Sequence, residues 1–214
     1  MLIVEEMFLL LNKDYGTAGR ARGYRRYGLA AAALADLSEL GTIEIAQEGK
    51  DPQVTVVRAG MTGHAPLDAV LPALDSMSGQ KISTLVGRSQ LDPDTAVGRS
   101  LARQGIVTEE SRFLGGPHFM TTSPAPEIAL RERLGQVLAG DRTATLAEAT
   151  ELGLLKALNV ADGLLGPARG QMDRRELSRR IEEIAHDIPA VEAVKRRVDP
   201  FTASTMATVA TNAG

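Results

Sequence analysis

The stretch Tyr24–Leu40, YRRYGLAAAALADLSEL, decides the fold. Tyr27, Ala30, Leu34 and Leu37 fall at i, i+3, i+7 and i+10, which places one apolar stripe along an α-helix. Ala31, Ala32, Ala33 and Ala35 fill much of the remaining circumference. Side chains this small let neighbouring elements approach from several sides, so the pattern predicts a central, buried helix. Gly41 is placed to end it in the left-handed conformation. Arg22, Arg25 and Arg26 precede or open the stretch, where the helix dipole disfavours cations and favours anions.

Outward from this helix, the chain divides into readable segments. Leu2–Leu11 is apolar except for Glu5 and Glu6 and predicts a first helix; adjacent carboxylates on one helix do not face each other, so a surface or capping role is expected. Asn12–Gly23 contains Gly16, Gly19 and Gly23 and reads as a loop. After the central helix, TIEIAQ (42–47) and QVTVVR (53–58) alternate about an EGKDP turn and predict a β-hairpin. Helical spacing follows over Leu67–Ser78, then a short helix over Lys81–Arg88. Asp94–Gln104 reads as a helix stopped by Gly105, with Asp92 or Asp94 as its cap, and a second hairpin runs from Ile106 through Gly115-Gly116-Pro117 to Thr122. Helix, glycine, strand, turn, strand has then occurred twice, which suggests a structural pseudo-repeat. From Pro124 onward the chain reads as helices over Pro126–Ala139, Thr143–Leu155, Asn159–Leu165, Asp173–Ala185 and Pro189–Val198. The expected fold is mainly α: a single globular helical bundle around a central buried helix, with two β-hairpins. One domain is expected over 1–200, followed by a weakly helical or frayed segment at 201–214.

Composition narrows the function. The 214 residues carry a net charge of −3, 43% hydrophobic and 3% aromatic residues, with no Trp and no Cys. Disulfides and thiolate chemistry are thereby excluded, and broad nucleic-acid binding is disfavoured. The apolar N-terminal run is too short to span a bilayer and lacks the basic start of a signal peptide, so an intracellular protein is expected. His64, His118 and His186 show no metal-ligand spacing, and no nucleophile–base constellation stands out, so neither a metal, a cofactor nor an enzymatic activity is expected. Two features remain. Arginines 20, 22, 25 and 26 lead into the central helix, where guanidinium forks and helix N–H groups together hold phosphates. The second hairpin carries Phe113, Leu114 and Phe119 near its turn, as a partner or membrane contact would.

In order and spacing these segments resemble the Golgi phosphoprotein 3 family, peripheral membrane proteins that bind phosphatidylinositol 4-phosphate. The resemblance rests on Leu2, Glu5-Glu6 and Phe8–Leu11 at the start, and on Tyr27-Gly28-Leu29, Leu34–Leu37 and Gly41-Thr42-Ile43 in the core helix and strand. It continues through Leu101–Val107, Met120-Thr121-Thr122 with Pro124, Arg142-Thr143 and Leu154-Leu155. It implies a helical bundle with a membrane-touching hairpin, a headgroup pocket and a cytoplasmic protein peripheral to the membrane; the composition suits a bacterial member. Where the eukaryotic members form the pocket with a Trp, an Arg and two further basic residues, this chain has Ala21, Ala30, Leu91 and Asp94. Arg22, Arg25, Arg26, Arg88, Arg99 and Arg103 are therefore the candidate headgroup-binding residues, and Phe113, Leu114 and Phe119 the candidate membrane-contacting ones. The expected function is non-enzymatic binding of an anionic phospholipid surface, phosphatidylinositol 4-phosphate by resemblance, with no nucleic-acid partner. The alternative is a protein–protein scaffold that self-associates through the hairpin and has lost phosphoinositide binding.

Overall fold

The computed structural model describes residues 1–12, 19–46, 49–58, 60–110, 116–166 and 168–198, with only the backbone of 19–23. Segment 201–214 lies outside the described residues. The first helix, α1 (Ile3–Asn12), is buried from Ile3 to Leu11. A helix apolar nearly all round has no solvated face to offer, and here α2, α6, α7 and α8 surround it. The central helix, α2 (Gly19–Glu39), is buried from Gly28 to Leu34 and again at Asp36 and Leu37. Gly28 admits α8 (Leu146–Ala157): a Cβ there would stand 2.7 Å from the Leu158 side chain.

Two expectations about these helices are corrected. The central helix begins at Gly19, inside the segment read as a loop. Helix propensity is a weak prior, and Gly23 alone does not stop a helix whose next turns are fully packed. Arg25 and Arg26 consequently lie in the second turn rather than at the helix start. Glu5 and Glu6 are buried rather than on the surface. Glu5 does act as a cap, accepting the Leu2 N–H at 3.2 Å, and also accepts from Ser100 Oγ at 2.8 Å. The stronger cap comes from α2: Asp36 accepts the Ile3 and Val4 N–H groups at 2.8 and 2.9 Å. Burial pushes the Asp36 carboxyl up to about 7 despite those two bonds.

The pseudo-repeat is present in the backbone. Gly41 (φ 64°) and Gly105 (φ 72°) both take the left-handed conformation. In each case the glycine N–H bonds back to the helix, to Ser38 O and Ala102 O, and the next residue reaches Leu37 O and Leu101 O, all at 2.9–3.0 Å. These are Schellman motifs. The carbonyl after each glycine then accepts two N–H groups from the far end of its hairpin: Thr42 O from Val57 and Arg58, Ile106 O from Thr122 and Ser123. The hairpins pair antiparallel, β1 (Ile43–Ile45) with β2 (Val54–Val56), and β3 (Val107–Glu110) with β4 (His118–Thr121).

Between the units the continuous helix expected over Leu67–Ser78 divides into α3 (Ala65–Asp68) and α4 (Leu71–Asp75). Pro72 explains the break, since its ring cannot coexist with the helical carbonyl of residue 68. Next come α5 (Ile82–Val86), a single 3-10 turn at Ser89–Leu91 and α6 (Asp94–Arg103), whose first N–H is capped by Asp92 at 3.1 Å. Beyond β4 follow α7 (Ala125–Ala139), α8, α9 (Ala161–Leu164), α10 (Arg174–Ile184) and a helical run over 189–198. The helix expected from Thr143 starts at Leu146, capped by Thr145 in a reciprocal capping box with Glu148. The architecture is mainly α with two hairpins. No described helix is long and apolar enough to cross a membrane.

Candidate functional site

The face around the second turn of α2 was expected to gather arginines for an anion, and the structure sorts them into distinct environments. Arg25 is drawn inward. Its Nη2 pairs with Asp94 Oδ1 at 2.7 Å, its Nε reaches the same oxygen at 3.0 Å, and its Nη1 donates to Leu11 O at 3.1 Å. The guanidinium also lies 4.4 Å from the Phe8 ring centroid. Its side chain is 16% exposed, so Arg25 ties α1, α2 and α6 together before any ligand arrives.

Arg26 points the other way, to the end of α5. Its Nη2 donates to Gly87 O at 3.4 Å, and its guanidinium lies 5.4 Å from the Tyr27 ring. Arg197, from the helical run at 189–198, reaches the same turn: its Nε donates to Ser83 O at 2.6 Å. A Cβ on Gly87 would stand 2.6 Å from Arg197 Nη2. The absence of a side chain at Gly87 is what lets the guanidinium lie there. Cations at a helix C-terminus satisfy its free carbonyls and its dipole. Arg88 follows directly in sequence and is exposed. Arg26 and Arg197 thus converge on one turn, and Arg88 is the next residue in the chain. Arg197 was missed in the sequence because it joins the group from 114 positions beyond Ser83. Asp92 sits close by, its carboxyl pushed up by burial and drawn partly back by the Asp94 N–H and, less, by Arg26 and Arg25.

Arg99 and Arg103 lie further along α6, one turn apart on its exposed face. With Ala65, Ala96, Ala102 and Glu109 they line a shallow depression of about 590 Å³. Arg99 is 60% exposed and pairs with Glu109 at 3.3 Å. Nine residues of helix, roughly 14 Å, separate Arg103 from Asp94 and its partner Arg25, so the six candidate arginines do not form one pocket. The side chain of Arg22 lies outside the described residues.

Phe113 and Leu114 likewise lie outside the described residues. Phe119 does not face solvent. It is 4% exposed, meets Phe8 edge-on at 5.9 Å and covers Gly98, where a Cβ would come within 2.3 Å of its ring. Strand alternation turns the next residue, Met120, outward, and it is 48% exposed. Of the histidines, His64 and His186 are exposed and His118 is half-buried in β4, each on a separate element. Among the described residues no group of three or more potential metal ligands forms.

The described residues form a mainly α fold with paired helix–hairpin units. The chain belongs to the Golgi phosphoprotein 3 (GPP34) family, whose model matches residues 3–200. No match to a curated protein was found.

Proposed function

We propose that this chain is a non-enzymatic, cytoplasmic peripheral membrane protein that holds an anionic phospholipid headgroup, phosphatidylinositol 4-phosphate being the ligand its family suggests. The observation that supports the reading, beside family membership, is the convergence of Arg26 and Arg197 on the turn at Gly87, with exposed Arg88 next in sequence. Arginine forks match phosphate oxygens, and a chain with net charge −3 must concentrate its positive potential locally to meet a membrane. Arg22, whose side chain lies outside the described residues, is a further candidate from α2. Arg99 and Arg103 supply long-range attraction from α6. Arg25 positions the site through Asp94 and makes no headgroup contact of its own. Phe113 and Leu114 enter the interfacial layer, with Met120 rather than Phe119 as their outward neighbour.

Flotation of the full chain with vesicles tests this. Binding to phosphatidylserine or phosphatidylinositol 4-phosphate vesicles, absent on phosphatidylcholine and lost in the Arg26→Ala/Arg88→Ala double variant, is expected. Failure to float with all three compositions overturns it. A scaffold that self-associates through the second hairpin is the second reading, favoured by the internal commitment of Arg25 and Phe119. Sedimentation of a chain with residues 111–115 replaced by Gly-Ser decides it, because an unchanged mass counts against a hairpin interface.

A further inference from the structure

Glu151 of α8 is the most enclosed charged residue among those described, with 0% exposure. Neither of its carboxyl oxygens has a hydrogen-bond donor. The groups that face it are carboxyls and a guanidinium already in use: Glu6 from α1, Arg133 from α7 and Glu148 from its own helix. Arg133 Nη2 is engaged by Glu6 at 2.8 Å and its Nε lies 3.4 Å from Glu148. Arg142 binds Glu148 at 2.5 and 2.9 Å, and Thr145 N–H completes that carboxylate at 3.0 Å. Three carboxyls therefore meet two guanidinium groups. If all three carboxyls were ionised, one buried negative charge would stand without a partner. The Glu6 carboxyl lies within hydrogen-bonding reach of Glu151, yet two carboxylates have no donor between them.

We propose that Glu6 and Glu151 share a single trapped proton, taken up as α1 docks on α8 and released when that interface opens. The O–H of Glu151 donates to the Glu6 carboxylate, which keeps its ion pair with Arg133. The same proton neutralises the third carboxyl and supplies the missing donor. Glu151 then carries no charge in the folded chain over the physiological range, and burial together with the Glu6 carboxylate holds its pKa far above the ordinary 4.5. The α1–α8 interface is thus a proton-dependent latch: alkali, not acid, opens it.

The test uses the full chain with glutamate labelled at the carboxyl carbon, which separates it from Asp36. At about pH 8.5 the wild type is expected to show a protonated-carboxyl infrared band that Glu151→Gln lacks. Urea unfolding supplies the second measurement. Relative to Glu151→Gln, the wild-type folding constant is expected to fall about tenfold per pH unit between neutral pH and roughly pH 9. Parallel stability curves for the two proteins, or no acid band in the wild type, overturn the proposal. A missing band with wild-type stability that rises on adding sodium or calcium overturns it in favour of a bound cation. Should Glu151→Gln fail to fold, the wild-type band alone decides.

Discussion

Arg25 and Asp94, 69 positions apart in sequence, are joined at 2.7 Å, and the pair fixes the second turn of the central helix against the first turn of α6. The guanidinium also holds the Leu11 carbonyl near the end of α1 and lies on Phe8, so one side chain binds three helices. Arg25→Ala is expected to lower unfolding stability by about 3 kcal/mol, the combined effect of charge-assisted bonds and a cation–π contact. Arg88→Ala should change it by less than about 0.5 kcal/mol, as an exposed position does. Denaturant titration of both variants checks the contrast, and equal effects would contradict the separate roles given to the two arginines.

Gly98 and Phe119 give a sign reversal. Alanine in place of a helical glycine normally gains up to about 1 kcal/mol. At Gly98 the new Cβ would meet the Phe119 ring at 2.3 Å, so Gly98→Ala is expected to destabilise by about 2 kcal/mol. The double variant Gly98→Ala/Phe119→Leu should recover part of that loss, read as the thermal midpoint by circular dichroism.

The hairpin separates packing from surface contact in neighbouring residues. Phe119→Ala should cost about 3 kcal/mol through the cavity it leaves beside Phe8. Met120→Glu is expected to leave the thermal midpoint within about 2 °C while reducing vesicle flotation at least several-fold, since a charge at an interfacial position opposes insertion. Flotation unaffected by Met120→Glu would remove that strand from the proposed membrane contact.

Three buried carboxyls set the pH profile, with opposite signs. The Arg142 hydrogen bonds hold Glu148 down to about 2, so its contribution is present above its ordinary value of 4.5 and lost as pH falls towards 2. Asp36, raised from 3.8 to about 7, binds more protons folded than unfolded between those values, so its contribution fades as pH rises through 7. Glu151 adds to that decline from about pH 4.5 upward and carries it on above neutrality. Thermal midpoints should therefore peak in the mildly acidic range, at about pH 4 to 5, and fall towards either side, by roughly 10 °C or more towards neutral pH. Asp36→Asn should lessen the fall on the neutral side, leaving the part due to Glu151, and leave the acid side unchanged.

Much of this architecture was legible from local chemistry. The alanine run of α2 announced its burial, and Gly41 and Gly105 announced two helix ends whose backbone bonds match one for one. The start of α2 was hidden by Gly16, Gly19 and Gly23, because packing of the later turns outweighs glycine's preference for loops. The site was less legible, and for one reason. Arg25 reads as a free cation until Asp94 arrives, Glu6 as a surface acid until Arg133 arrives from 127 positions away, and Arg197 as part of a solvated face until Gly87 makes room for it. Charge in a sequence shows what a side chain can bind; only the fold shows what it has already bound.

The paired carbonyls of Thr42 and Ile106 carry a consequence for protein engineering. At the base of each hairpin a single oxygen clasps both residues at the returning end, while Phe119 in the second and Val54 in the first anchor the strands further along. Such a joint is indifferent to what lies at the far tip, so loops of new length and composition can be grafted between β3 and β4 while the clasp at Ile106 holds register. The second hairpin is in that sense an interchangeable head on a fixed handle, and the first offers the same handle at another point of the surface.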